Sequence, residues 1–266
     1  MRRWLDNAGT GSYLLLLYGF IYLPVVTLVL FSFQEGRFPI PPFNGPSLRW
    51  YEAVAADGKL TSALTHSLLV ALLSSALACV LGFLAAYGFA RFRLTGAGPL
   101  KVMITAPLTV SYLIIGFGLL VTLNLVGVSR SLWTVGIGHV VINTPLCFAI
   151  IYASLGEHQR NIERAAQDLG ASDLRVMLWV TAPMLMPSIV AAYFLSVTFS
   201  WDEFIIAFLL SRFDVTLPVE IWSLLRSGLN PKTNAVGSVV FLVSVVIVLL
   251  LEFTVFRRRG WNDRSG

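Results

Sequence analysis

Apolar residues in this chain come in unbroken blocks rather than at a three-to-four or alternating spacing. Six such runs, roughly 13–33, 67–90, 103–125, 133–155, 184–210 and 235–256, carry few charges. About 20 apolar residues are what a helix needs to cross a bilayer core. The pattern therefore predicts an all-α polytopic membrane protein with six transmembrane helices in one domain, 1–266. The first run follows Arg2 and Arg3, as a signal peptide would. It is longer than a signal's apolar region and no small-x-small cleavage site follows at Gln34, so it reads as a retained span.

Between the first two runs the chain is polar and carries Pro39, Pro41, Pro42 and Pro46, with a short helix expected near Trp50–Ala55. In the second run Ala78, Gly82, Ala86 and Ala90 recur every fourth residue, which puts small side chains on one helix face and lets a neighbouring backbone approach. Pro107, Pro145 and Pro187 interrupt or begin spans and are expected to kink them.

Composition sharpens the picture. The chain is 56% hydrophobic and 12% charged, against about 25% charged in soluble domains, and its mean hydropathy is +0.78. A water-facing enzyme and a disordered chain are both excluded. Lys and Arg stay on the cytoplasmic side of a membrane. With both termini cytoplasmic, the inner segments hold twelve of the nineteen basic residues and seven of the fourteen acidic ones, leaving the outer segments neutral. Topology thus accounts for the net charge of +5, and no basic–aromatic constellation calls for nucleic acid. Cys79 and Cys147 form no metal or redox pattern.

The loop from Gly156 to Pro183 is the most informative segment. Ile162–Leu169 is helix-permissive, Gly170 sits where a helix stop wants positive φ, Ser172 is placed to cap the next helix, and Asp173 suits its first turn. Ala165 and Ala166 keep the turn slim. Two readings fit: a knob that inserts into a cleft on another protein and passes a push to the membrane helices, or a solvated connector.

Arg164 to Pro183 resembles the EAA loop of ATP-binding-cassette importer permeases. That loop has an acidic-Ala-Ala triplet, a Gly after three intervening residues, an aliphatic residue ten positions further and a Pro three beyond that. Ala165, Ala166, Gly170, Val180 and Pro183 stand in that register, while Arg164 replaces the usual Glu and Glu163 precedes it. Ser47–Glu52, His66–Val70, Gly138-His139-Val140 with Pro145, Asp168–Ser172, Ser200–Phe204, Leu217–Trp222 and Asn230–Ala235 are similar to the spermidine/putrescine branch, C-subunit type. That branch also moves opines and related amino-acid derivatives.

The resemblance implies a type I importer permease fold in the bacterial inner membrane, multi-pass and non-catalytic. It implies as partners two ATP-binding subunits, a paralogous second permease and an extracytoplasmic solute-binding protein. It makes the loop a coupling helix seated on the ATPase, with Glu163, Arg164, Ala165, Ala166, Asp168, Gly170, Ala171 and Ser172 as the coupling residues. The chain has no GxxxxGK[ST] phosphate loop. ATP and magnesium therefore belong to the partner subunits, and this chain is expected to bind no cofactor of its own.

Asp202 and Glu203 are the adjacent acids within a span, near Trp201 and other aromatic residues. Carboxylates are expensive in lipid and face protein or a water-filled path, and with aromatics they suit an amine-bearing solute. The alternative is a structural pair near the interface that binds Arg or backbone of the partner permease. After Pro107 the polyamine branch often has a further Pro and an acid, where this chain has Ser111 and Tyr112. Tyr112, Trp201, Asp202 and Glu203 are therefore the candidate path residues, for a polyamine or for a smaller amino-acid derivative. His139, in an apolar span, is expected to make an internal hydrogen bond rather than hold metal, and His66 and His158 to be solvated. The competing class is a self-sufficient secondary transporter or channel, which usually shows inverted repeats that are not evident here. An intramembrane enzyme would need a nucleophile or metal motif, and neither HExxH nor GxSxG is present.

Overall fold

The computed structural model describes residues 2–92, 94–228 and 230–262, and side chains from residue 10 onward except 251 and 254–262. Arg93, Asp263 and Arg264, and the side chains of Arg2, Arg3, Asp6 and Arg257–Arg259, lie outside that description, so the part of the charge reading that rests on them does too.

The described chain is helical, with one isolated β-bridge between Gln34 and Pro46. In order come α1 (Arg2–Ser32), α2 (Arg49–Ala55), α3 (Gly58–Arg91), α4 (Ala97–Thr105) with a 3-10 turn at Ala106–Leu108, α5 (Tyr112–Leu125), α6 (Leu132–Ala153) and α7 (Glu157–Asp168). Next are α8 (Asp173–Arg175), a π-helical turn at Val176–Thr181, α9 (Ala182–Met184), α10 (Met186–Trp201), α11 (Ile205–Leu210), α12 (Leu217–Arg226) and α13 (Pro231–Asn262).

Among the described residues, four helical stretches are long and apolar enough to cross a membrane: Thr10–Ser32, Gly58–Arg91, Leu132–Ala153 and Pro231–Leu250. Two bent pairs bring the number to as many as six. The expected third span is not straight, because Ala97–Leu108 meets Tyr112–Leu125 at 105°. Pro107 has no N–H to continue the helix, and Ser111 starts a new one by accepting from the Leu113 amide at 3.3 Å. The fifth is bent as well, with Asp173–Met184 meeting Met186–Trp201 at 73°, beside Pro187 in the first turn of α10. It is interrupted again at 202–204, before α11.

Backbone proximity divides the chain into two compact units. In the first, Met1–Thr61 with Glu220–Val243, the proline-rich loop is stitched by the buried Gln34. Its side chain accepts from the Asn44 amide at 3.0 Å and donates to the Pro42 carbonyl at 3.2 Å, while its own carbonyl takes the Trp50 indole N–H at 2.7 Å. The expected short helix is α2. Asp57 caps α3, accepting from Lys59 N at 2.9 Å, and its other oxygen meets Lys232 Nζ of α13 at 2.5 Å.

The second unit, Ser62–Val219 with Ser244–Gly266, has two apolar clusters. One joins Ala78, Cys79, Phe83 and Ala86 of α3 to Cys147, Phe148 and Ile151 of α6, with Leu185 and with Ala192 of α10. The other gathers Val70, Val135, Ile142, Ile206, Ala207, Leu210 and Val219. The small-residue stripe does what its spacing predicts. A Cβ on Gly82 would stand 2.7 Å from both Cys147 Cβ and Phe148 N, so α6 lies directly on α3 there. Both cysteines are buried free thiols. His66 is not simply solvated: its Nδ1 lies 3.2 Å from the Val215 carbonyl.

Candidate functional site

The elbow from α7 to α9 is built by backbone chemistry that the sequence signals only in part. At its start the Gln159 side chain accepts from the Gly156 amide at 3.1 Å, so α7 begins at Glu157, five residues before the expected Ile162. At its end Gly170 N bonds to the Gln167 carbonyl at 2.8 Å and Ala171 N to the Ala166 carbonyl at 3.1 Å. These are the paired bonds of a Schellman stop, which needs a left-handed residue between them, and Gly170 supplies it with φ +89°. Ser172 occupies the N-cap position of α8 but makes no side-chain cap bond. Asp173 is held instead, its carboxylate accepting from Gln167 Nε2 at 2.8 Å across the turn.

The coupling candidates divide by exposure. Arg164, Ala165, Asp168, Gly170 and Ser172 are exposed, Ala166 and Ala171 half-buried. Glu163 is 3% exposed and faces inward. Arg91, the last residue of α3, grips it through Nε–Oε2 and through Nη2–Oε1 at 3.1 Å, and Thr181 of the π-helical turn donates to Oε1 at 2.8 Å. A buried carboxylate is tolerable only when paired and hydrogen-bonded, and breaking such a pair costs about 3–5 kcal/mol. Glu163 is therefore a strut between the elbow, the end of α3 and the start of the fifth span, rather than part of an outer face. The tip of the elbow is Leu169, 91% exposed. The sequence reading missed Arg91, Thr181 and Leu169. Arg91 and Thr181 lie 72 and 18 residues from Glu163, beyond the reach of any local pattern. Leu169 was legible as an apolar residue directly before the stop glycine.

At the α10–α11 break the two acids have different surroundings. Glu203 is 6% exposed, and its carboxylate accepts from the Ile206 amide at 2.9 Å and the Ala207 amide at 3.1 Å, capping α11. It also lies 3.5 Å from His139 Nε2. His139 Nδ1 makes the expected internal hydrogen bond, to Ser200 Oγ at 2.5 Å, and Ser200 reaches Ser74 of α3 at 3.2 Å. Trp201 is 2% exposed. Asp202 is exposed and Tyr112 half-buried. Of the four path candidates, Trp201 and Glu203 thus lie inside the unit and Asp202 stands open.

Comparison with known proteins agrees with this architecture. Residues 78–260 match the family described as "Binding-protein-dependent transport system inner membrane component". The chain is 35% identical over 235 residues to the putrescine transport system permease protein PotI of Escherichia coli strain K12, covering 85% of this chain and 83% of the relative. It is 28% identical over 243 residues to the spermidine/putrescine transport system permease protein PotC of Haemophilus influenzae, covering 91% and 94%. A chain of the bacterial alginate ABC transporter, solved in complex with an alginate pentasaccharide-bound periplasmic protein, superposes with a TM-score of 0.71 at 18% identity, covering 94% and 93%. A helical chain with spans broken at prolines, an elbow between the fourth and fifth, and these relatives converge on one assignment: the protein belongs to the binding-protein-dependent transport system inner membrane components, the multi-pass permease subunits of ABC importers.

Proposed function

We propose that this chain, with a second homologous permease, two ATP-hydrolysing subunits and an extracytoplasmic binding protein, imports a polyamine or a related amine-bearing solute such as an opine or amino-acid derivative. The α7–α9 elbow is the coupling element. ATP binding on the partner subunits favours one of two bundle packings, and the elbow carries that preference into the membrane. The observation that carries this reading is the pairing of an exposed tip with a buried strut: the Leu169 side chain stands out from the elbow, while Glu163 ties the same helix to Arg91 and Thr181. An open apolar tip is free to enter another protein's groove, and a strut transmits its displacement. The amine preference is supported by the relatives' names and by the open Asp202 carboxylate at the α10–α11 break.

Leu169→Glu tests the docking. Burying a leucine side chain is worth about 1.5–3 kcal/mol, so the variant is expected to retain at least about tenfold less ATPase on copurification, with unchanged yield of the permease itself. Full ATPase retention would remove Leu169 from the interface. Solute uptake by this chain alone, in vesicles without nucleotide, would overturn the whole reading in favour of a self-sufficient transporter.

A further inference from the structure

The geometry points to a phospholipid headgroup site in the second unit, in which Arg130 and Arg212 clasp the phosphodiester. The two arginines come from loops far apart in sequence, and the fold brings them together by a specific stitch. Ser131 and Thr134 form a capping box at the start of α6. Ser131 N and Thr134 Oγ1 then both bond to the Leu210 carbonyl at the end of α11, at 3.1 Å and 2.9 Å. Arg130 immediately precedes this stitch and Arg212 lies two residues beyond it. Both line one pocket of about 230 Å³ with Asn124, Ser129 and Thr134.

Both arginines are exposed where they line this pocket, and an anion between them is attracted by two positive charges at once. Neither guanidinium makes an ion pair among the described residues. Asp214, the nearest acid in sequence, is exposed and pairs with neither. Arg212 lies over the Phe213 ring at 4.9 Å, which leaves its donors free. Guanidinium forks match phosphate geometry bidentately, and Asn124 and Ser129 add polar side chains to the same lining.

The surroundings identify the source of the phosphate. Phe213, next to Arg212, is 83% exposed, and Leu125 and Val126, directly after Asn124 at the end of α5, are 81% and 68% exposed. Apolar side chains left open together at the end of α5, one half of a bent candidate span, form the kind of surface that membrane lipid covers. The pocket sets Leu120, Leu123, Val128 and Leu210 in the same lining as its two arginines, so a phosphate held there has apolar wall beside it for its chains. A carboxylate on a docking protein offers the same charge but no acyl chains for such a wall.

The test uses the detergent-purified transporter, stripped of lipid and titrated with short-chain phosphatidylglycerol or with a glucosyl diglyceride of equal chain length and no phosphate. Wild type is expected to gain thermal stability and hold a lipid adduct by native mass spectrometry with the first lipid only. Arg130→Gln/Arg212→Gln is expected to bind phosphatidylglycerol at least about tenfold more weakly. Equal binding by wild type and variant would overturn the site. So would a variant that keeps the lipid but no longer docks the solute-loaded binding protein, which would make the pocket a protein contact. Should the double variant fail to assemble, R130K and R212K keep the charge without the fork. Each is expected to lose affinity several-fold, and unchanged affinity in both would overturn the assignment.

Discussion

Glu203 accepts from the amides of Ile206 and Ala207 and stands 3.5 Å from His139, whereas Asp202, one position earlier, is exposed. Helix geometry turns adjacent side chains about 100° apart, and the break after Trp201 separates their roles further. Glu203→Ala would leave two buried amides without an acceptor at about 1–3 kcal/mol each, so a lower thermal midpoint and a poorer yield of folded complex are expected. Asp202→Asn is expected to leave both unchanged and to raise the KM for a cationic solute about tenfold, the equivalent of about 1.4 kcal/mol of lost ion pairing. Uptake assays in proteoliposomes with wild-type KM would make Asp202 structural. The sequence made this pair conspicuous but could not sort it, because the sorting depends on where α10 ends and on His139, both set by packing.

At the scale of helices, the contact between α3 and α6 is set by Gly82. Alanine normally favours a helix over glycine by about 1 kcal/mol. Gly88 is the unobstructed case, with nothing within 4 Å of its virtual Cβ, while Gly82 would place the same methyl 2.7 Å from the Phe148 backbone nitrogen. Gly88→Ala is therefore expected to be neutral or stabilising and Gly82→Ala to destabilise by about 1–3 kcal/mol through overpacking, as thermal melting of the two purified variants would show. Wild-type stability in Gly82→Ala would mean that α6 yields at this point. The small-residue stripe was readable because its period is that of the helix it lies on. The bends were not. The run 103–125 is apolar on both sides of Ser111, so hydropathy alone merges two helices that cross at 105°.

Over the whole molecule, charge read from sequence raises an expectation of topology but gives no hint of which charges pair. Arg91 and Glu163 are 72 residues apart, and Asp57 and Lys232 are 175 apart. The six apolar runs correspond to four long helices and two bent pairs, whereas the elbow and its stop glycine were legible, because each is a local pattern. The pairs that brace them were not, because each needs the folded chain. Lys232, by hydrogen bonding to the carboxylate, holds Asp57 below its ordinary range, with the amides of Lys59 and Leu60 adding to that and burial opposing it. A lowered acid stabilises the fold above its unfolded pKa of about 3.9 and loses that contribution as pH falls through the folded value. Wild-type stability should therefore decline below about pH 4 in part through this pair. Asp57→Ala, which also removes the cap of α3, should cost about 1–2 kcal/mol at neutral pH and show a shallower acid decline in thermal melts. Identical acid profiles for the two proteins would exclude the pair as a contributor.

The strut also bears on how such permeases can be recombined. The foot of the elbow rests on a guanidinium supplied by α3, so the cassette that can be exchanged between relatives is larger than the loop itself. Transplanting 157–183 from a homologue without a glutamate at position 163 would strand Arg91 inside the bundle without its counter-ion, and an otherwise well-matched hybrid would stall at that one cation. Moving residue 91 together with the loop keeps the two halves of the joint in register.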